Sequence, residues 1–396
     1  MCRKRPRRNL ERRSRHSSTD LREFLGSDGD GFEGGSRTDG RGSTMKRICI
    51  GVCLLLVLPL SASGAFVTVD PDGTGDYLTL PDAWASVGAG DTVLMSPDVH
   101  QVGGGSTGWP LTLGPDSPSV VGIEGADQTV LAGDGVTSAF FIPQDVWDAH
   151  MDLRGLMFLD IAEIIERGGE YGEAGGTLVF IDNVVMNCGS SHALDASQCR
   201  EESVIRGNVI TANPGSGLWT YHYWGTIENN EISYNASGIV GACCEEPVID
   251  CNYIHNNTEY GIWTGFNYTV ENNIIESNGD AGLLLVSDGT VQNNIIRHNA
   301  VGVRHEGLPE TELRHNDIYG NTNYDLEVTD GQTWIWYATW NWWGTTDPDV
   351  IDANVFDCED DPGIGVCVTT YPFCNMPGCA SSAQPASWGA IKALYR

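Results

Sequence analysis

Between residues 203 and 328 the chain alternates apolar runs of three to five residues with asparagine and glycine, and it does so on a fixed period. With Asn273 as origin, asparagine recurs at Asn208, Asn230, Asn252, Asn294 and Asn316, at successive spacings of 22, 22, 21, 21 and 22 residues. Three residues before each anchor stands an apolar residue (Ile205, Ile227, Ile249, Val270, Val291, Leu313), and two after it an isoleucine (Ile210, Ile232, Ile254, Ile275, Ile296, Ile318). Five after it comes another asparagine (Asn213, Asn235, Asn257, Asn278, Asn299, Asn321). Glycine and an apolar residue then follow in five of the units, as in Gly217-Leu218 and Gly302-Val303, and the last unit has Asp325-Leu326.

A period of 20 to 50 residues denotes stacked supersecondary units, and no helical spacing occurs inside this one. The apolar runs are β-branched and short, which predicts a coil of three strands, each pairing with the coil above and below. Asparagine tolerates the left-handed conformation at corners, and its amide reaches an equivalent amide about 4.8 Å away, so the expectation is asparagine at the corners, stacked as a ladder, and isoleucine in the bore.

This pattern resembles the right-handed parallel β-helix repeat of the pectin lyase-like superfamily, including NosD-type repeat proteins, over about residues 66 to 365. The segment 69–97 resembles the opening of such proteins, which implies a first strand and a short amphipathic N-terminal capping helix bearing Ala83, Trp84 and Val87. The segment "NWWGTTDPD", 341–349, resembles their closing coil. The fold class expected is therefore all-β, a single solenoid domain of roughly ten coils over residues 66–379 with irregular ends that hide the open strand edges.

Outside the repeat, Met45-Lys46-Arg47, the apolar stretch 48–60 and small residues at 63 and 65 read as a secretory signal peptide, residues 45–65, too short to span a membrane. Residues 1–44 are rich in Arg, Ser and Gly without apolar periodicity, and read as a wrongly chosen upstream start or a disordered basic arm. Residues 380–396 read as a linker and a short tail whose Trp388, Ile391, Leu394 and Tyr395 share one helical stripe beside Lys392 and Arg396. That tail is either a sorting tag or a strap on the acidic wall.

Without residues 1–65, Lys+Arg fall from 22 to 9 and Asp+Glu from 53 to 46, a formal charge of −37 with Lys392 the sole lysine. Nucleic acid and anionic membranes are bound through Lys and Arg, so the expected partners include neither. Nine cysteines follow residue 65. Cys358 with Cys367 and Cys374 with Cys379 are plausible local disulfides, leaving Cys188, Cys199, Cys243, Cys244 and Cys251; no CxxC pair supports zinc.

Because aliphatics fill the inward positions, chemistry belongs on the outward columns. Two residues before each anchor stand Arg206, Glu228, Asp250, Glu271, Gln292 and Arg314. Three successive carboxylates about 5 Å apart repel unless a Ca²⁺, raised pKa values or splaying into water relieves them. In polysaccharide lyases of this fold an acidic cluster holds Ca²⁺ against a uronate while Arg or Lys takes the proton. The resemblance thus implies Glu228, Asp250 and Glu271 as metal ligands, and Arg206 or Arg314 as base; the alternative is a solvated charged ladder.

A second column, two residues after each repeat glycine, reads Trp219, Val240, Trp263, Leu284, Arg304 and Glu327, with Tyr221, His222, Tyr223, Trp224, Phe266 and Tyr268 in the adjoining loops. Large exposed aromatic patches mark binding sites, and flat rings with polar tips suit the C–H faces of sugars. A self-packed hydrophobic rim is the competing reading. The Asp70/Asp72/Asp76 stretch and the acidic run Asp347–Asp361 match plain turns as well as metal loops. The histidines His255, His298, His305 and His315 fall in different columns. No nucleophile elbow, HExxH or phosphate loop occurs, and neither do the motif pairs of polygalacturonases, pectin methylesterases or alginate epimerases. The function expected is a secreted or cell-surface module binding polysaccharide through the aromatic column, against a Ca²⁺-assisted lyase or hydrolase on the acidic column and against a structural spacer.

Overall fold

The computed structural model describes residues 64–103, 107–169, 175–241, 246–265, 267–307, 311–329 and 334–378. The basic arm, nearly all of the signal peptide, Cys243, Cys244, Phe266, Cys379 and the C-terminal tail lie outside the described residues.

The described chain winds as a right-handed parallel β-helix of three long sheets. The first contains eleven strands, from Phe66–Val69 to Glu312–Arg314; the second ten, from Val99–Gln101 to Asp317–Tyr319; the third eight, from His192–Asp195 to Val355–Phe356. The strand pairings among the described residues are parallel, and within the repeat they keep the register that it sets, for example Ile227↔Ile249, Ile232↔Ile254 and Ile239↔Ile262. A small sheet of Leu111–Thr112, Phe140–Ile142 and Ile165–Arg167 precedes the third.

The inward positions behave as their spacing demands. The residues three before and two after each anchor, and those following each repeat glycine, are at most 2% exposed throughout the six units. Each ring of three aliphatics stacks on the next, so burying one side chain also covers its neighbours above and below.

The asparagines run inward as two ladders. In the first, amide-to-amide bonds of 2.8 to 3.1 Å join Asn208, Asn230, Asn252, Asn273, Asn294, Asn316 and Asn341. Asn183 joins it from below, where its backbone N–H donates to Asn208 Oδ1 at 2.9 Å. Asn183 and Asn341 each stand 25 residues from their neighbour, off the 21–22 period, which hides them in the sequence. The second ladder runs from Asn213 through Asn321 and ends on the Asp325 carboxylate at 2.8 Å.

The corner is taken by the residue before each ladder asparagine, not by the asparagine itself, which corrects the expectation above. Asn229, Cys251, Asn272, Asn293, His315 and Trp340 in the first series, and Ala212, Tyr234, Asn256, Ser277 and His298 in the second, have φ between +55° and +60°. The Asn-Asn doublets at 229–230, 272–273 and 293–294 thus divide the labour: the first amide residue adopts the left-handed bend and the second points into the wall.

At the N-terminal end a five-residue helix, Leu80–Trp84, starts at an N-cap Thr79 whose side chain accepts from the Asp82 N–H, and it buries Leu80 and Ala83; Val87 lies beyond it. The helix Pro348–Asp352 is capped in the same way by Asp347. Cys358 and Cys367 form the expected disulfide, and Cys374 is disulfide-bonded. Cys188 and Cys199 are free and buried, and burial pushes both thiols up to about 11. No helix among the described residues is long and apolar enough to cross a membrane.

Candidate functional site

The third sheet presents one outward column in strict register: Asp195, Trp219, Val240, Trp263, Leu284, Arg304 and Glu327. Period-2 alternation puts these side chains outside, since Leu218, Ile239, Ile262, Leu283, Val303 and Leu326 beside them face the bore. Trp219 and Trp263 are two coils apart, roughly 10 Å along the axis. Val240 and Leu284 are nearly buried between and beyond them, so the floor is aliphatic and Trp263, 37% exposed, rises from it.

Further rings extend the patch. His192 stacks on Trp219 with centroids 5.8 Å apart, and Tyr260 lies 6.1 Å from Trp263. In the loop after Trp219, Tyr221 meets His222 edge-on at 4.3 Å, and His222 tilts against Trp224, which is 41% exposed. Beside Trp263, Thr220, Ile239, Gly241, Pro247, Ile249, Thr264, Gly265 and Tyr268 line a small pocket that reaches buried residues of the bore.

Two residues expected in this surface belong to the interior. Tyr223 is 0% and Tyr268 2% exposed, and both phenols are spent on the chain itself. Tyr223 Oη donates to the Thr226 carbonyl at 3.1 Å; Tyr268 Oη donates to the Ser287 carbonyl at 3.2 Å and bonds Thr311 Oγ1 at 3.0 Å. A ring this large with one polar tip fills the wide corner between the first and third sheets, where an aliphatic would leave a void.

The acidic column of the first sheet also forms in register, with Arg206↔Glu228, Glu228↔Asp250, Asp250↔Glu271, Glu271↔Gln292 and Gln292↔Arg314. Its repulsion is relieved by donors from the protein. Arg206 pairs with Glu228 at 3.3 Å, Asn272 donates to Asp250 at 2.7 Å, and Gln292 donates to Glu271 at 2.9 Å. Arg314 pairs with Glu312 of its own strand at 3.1 Å. Cys251 lies against this column, and burial followed by the Asp250 carboxylate pushes its thiol up to about 12. Among the described residues no three His, Cys, Asp or Glu side chains converge closely enough to hold a metal ion.

A third constellation escaped the sequence reading. On the second sheet, one and three residues after each anchor, Glu231, Tyr253, His255, Glu276, Arg297 and Tyr319 form a continuous network. His255 Nε2 lies 3.2 Å from Glu231 and its ring stacks on Tyr253 at 4.0 Å. Tyr253 Oη donates to Glu276 at 2.6 Å, Arg297 Nε donates to Glu276 at 2.7 Å, and Arg297 reaches Tyr319 Oη at 3.2 Å. Burial alone would raise Glu276, but the bonds from Tyr253 and Arg297 outweigh it and hold its carboxyl below the ordinary range. Burial and that carboxylate hold the Tyr253 phenol up. The columns three and one after each anchor, read as His255-Glu276-Arg297 and Glu231-Tyr253, carried the signal.

A family model described as "Right handed beta helix region" matches residues 222–337, and one described as "Periplasmic copper-binding protein (NosD)" matches residues 166–268. No curated protein matches the chain significantly. Among solved structures the chain is similar to the A-module of an Azotobacter vinelandii mannuronan C-5 epimerase, at 18% identity over 73% of this chain and 84% of that one, with a TM-score of 0.40. It is similar to a pectate lyase at 13% identity over 80% of each chain, TM-score 0.44. To the catalytic domain of an α-1,3-glucanase in complex with nigerose it is 11% identical over 78% of this chain and 68% of that one, TM-score 0.40.

Copper calls for clustered imidazole, thioether or thiolate donors. Within residues 166–268 His192 lies against Trp219 and Asp195, His222 among Tyr221 and Trp224, and His255 is held by Glu231 and Asn256; Cys188 and Cys199 are buried, and Cys251 lies beside Asp250. Among the described residues these donors are dispersed and form no cluster that fits a copper centre, and Cys243 and Cys244 lie outside the described residues.

Proposed function

We propose that this chain, a right-handed parallel β-helix protein of the pectin lyase-like superfamily, binds polysaccharide outside the cytoplasm along the aromatic column of its third sheet. The observation that carries this reading is the placement of Trp219 and Trp263 on one outward face in register, two coils apart, over an aliphatic floor. A ring face offers a sugar its C–H surface a partner of matched polarity, and repeating it along a straight axis suits a ligand that itself repeats. The flanking His192, Tyr260, Tyr221 and Trp224 widen the platform on both sides and supply polar tips for hydroxyl groups. The signal-peptide-like segment 45–65 and the periplasmic description of the NosD family support export.

The test is affinity electrophoresis through gels containing plant, algal and bacterial polysaccharides. Trp263→Ala is expected to weaken retention on the bound polymer by roughly fivefold to tenfold, about 1 kcal/mol for a lost stacking partner. Tyr234→Ala, at the corner that ends a second-sheet strand and edge-on to His255, serves as the exposed aromatic control. Equal retention of Trp263→Ala and the parent protein, or equal loss in both variants, would remove the third sheet as the binding face.

A further inference from the structure

From the charges that close the aromatic column at its two ends, we infer that the polysaccharide it takes is uncharged rather than a polyuronate. This rests on the binding face proposed above and names its ligand class.

Below Trp219 the column reaches Asp195, whose carboxylate lies 3.4 Å from Arg167 Nε and 3.9 Å from His192 Nε2. Glu163 and Glu166 stand in the same group: burial, then the charges of Glu166 and Asp195, raise the Glu163 carboxyl. Burial lowers His192, so its ring is neutral at neutral pH and adds no positive charge. Above Leu284 the column reaches Arg304, which is clamped between Glu327 at 2.5 Å and Asp280 at 2.8 Å. Glu306 adjoins them, since it and Asp280 both act on the Tyr260 phenol that lies against Trp263. Each end thus sets three carboxylates against one guanidinium that is already paired. Between the ends the column offers only Trp219, Val240, Trp263 and Leu284, and the chain from residue 66 to 391 contains no lysine.

A polyuronate laid along this axis would meet an excess of like charge at both ends, with no free cation between to offset it. Carboxylates already fixed by arginine still accept hydrogen bonds, and sugar hydroxyls donate them. The arrangement therefore fits a hydroxyl-bearing, uncharged polymer stacked on the indoles. A polycation would be drawn to this acidic protein at any point of its surface, and screening by salt exposes that kind of binding.

The experiment compares retention of the full-length protein on three probe sets at low and high salt: uncharged polysaccharides (mixed-linkage β-glucan, xyloglucan and galactomannan), polygalacturonate, and chitosan. Expected is retention on at least one uncharged polymer, insensitive to salt and weakened in Trp263→Ala as above, with polygalacturonate at least tenfold weaker at low salt. The double variant Asp280→Asn/Glu306→Gln is expected to raise polygalacturonate retention severalfold. Polygalacturonate held as strongly as the best uncharged polymer, or chitosan held more strongly than it at high salt, overturns the charge class while leaving the binding face standing. Retention on none of the probes overturns the binding face itself and the charge class with it.

Discussion

At the residue scale, the second asparagine ladder ends on a titratable group. Asp325 Oδ1 accepts from the Asn321 backbone N–H at 3.2 Å and from its amide at 2.8 Å, in the place an asparagine fills in the coils below. Burial, only partly offset by those two bonds, raises its pKa to about 6. A carboxyl raised in the folded state binds its proton more tightly folded than unfolded. Its protonated form therefore contributes stability that is fully present below the unfolded value of 3.8 and is lost as pH climbs through about 6. Asp325→Asn keeps the acceptor and removes the charge. Denaturant unfolding is expected to show the variant gaining on the parent by roughly 3 kcal/mol between acid and neutral conditions. A stability difference that stays constant across the carboxylate range would show that Asp325 does not carry this linkage.

At the element scale, each strand is only two to six residues long and owes its stability to the strands above and below. Ile254 and Ile275 are 0% exposed, stacked in register inside the second sheet, whereas Ile274 is the partly exposed outward partner of Tyr253. Ile254→Asn puts an amide without partners into the bore and opens a cavity; the cost expected is about 3 to 5 kcal/mol by urea unfolding. Ile274→Asn is expected to cost under about 1 kcal/mol, as outward strand positions usually do. Similar costs at both positions would contradict the inward and outward assignment on which every column here depends.

At the scale of the whole molecule, the sequence carries a formal charge of −31, and the stack concentrates part of it in lines such as Glu228, Asp250 and Glu271. Self-repulsion of this size destabilises the compact state and is screened over about 10 Å at 0.1 M salt. The melting temperature is therefore expected to rise by several degrees from low to high sodium chloride, at a fixed pH near neutrality. Calcium at matched ionic strength is expected to add nothing, because Arg206, Asn272 and Gln292 already serve those carboxylates. A calcium-specific rise, abolished in Asp250→Asn, would restore a shared cation on the three.

What the sequence by itself determined is whatever repeats. Six anchors on a period of 21 to 22 residues specify three parallel sheets, an isoleucine bore and two outward columns, because each coil must present the same face to the next. Tertiary structure decided what the period does not encode. Asn183 and Asn341 extend the ladder despite their 25-residue spacing, since a longer loop can bulge outward without moving the rung. Tyr223 and Tyr268 read as surface loop residues, yet Tyr268 opens a strand of the first sheet and faces inward like Val270 two residues on, Tyr223 is drawn in from its loop, and both hydroxyls are spent on backbone carbonyls. The Glu231–Tyr319 network and the two acidic ends of the aromatic column arise the same way. Coils a full repeat apart in sequence lie one rung apart in space, so the period places these residues in neighbouring columns, and which of them meet is settled by long side chains reaching across rungs.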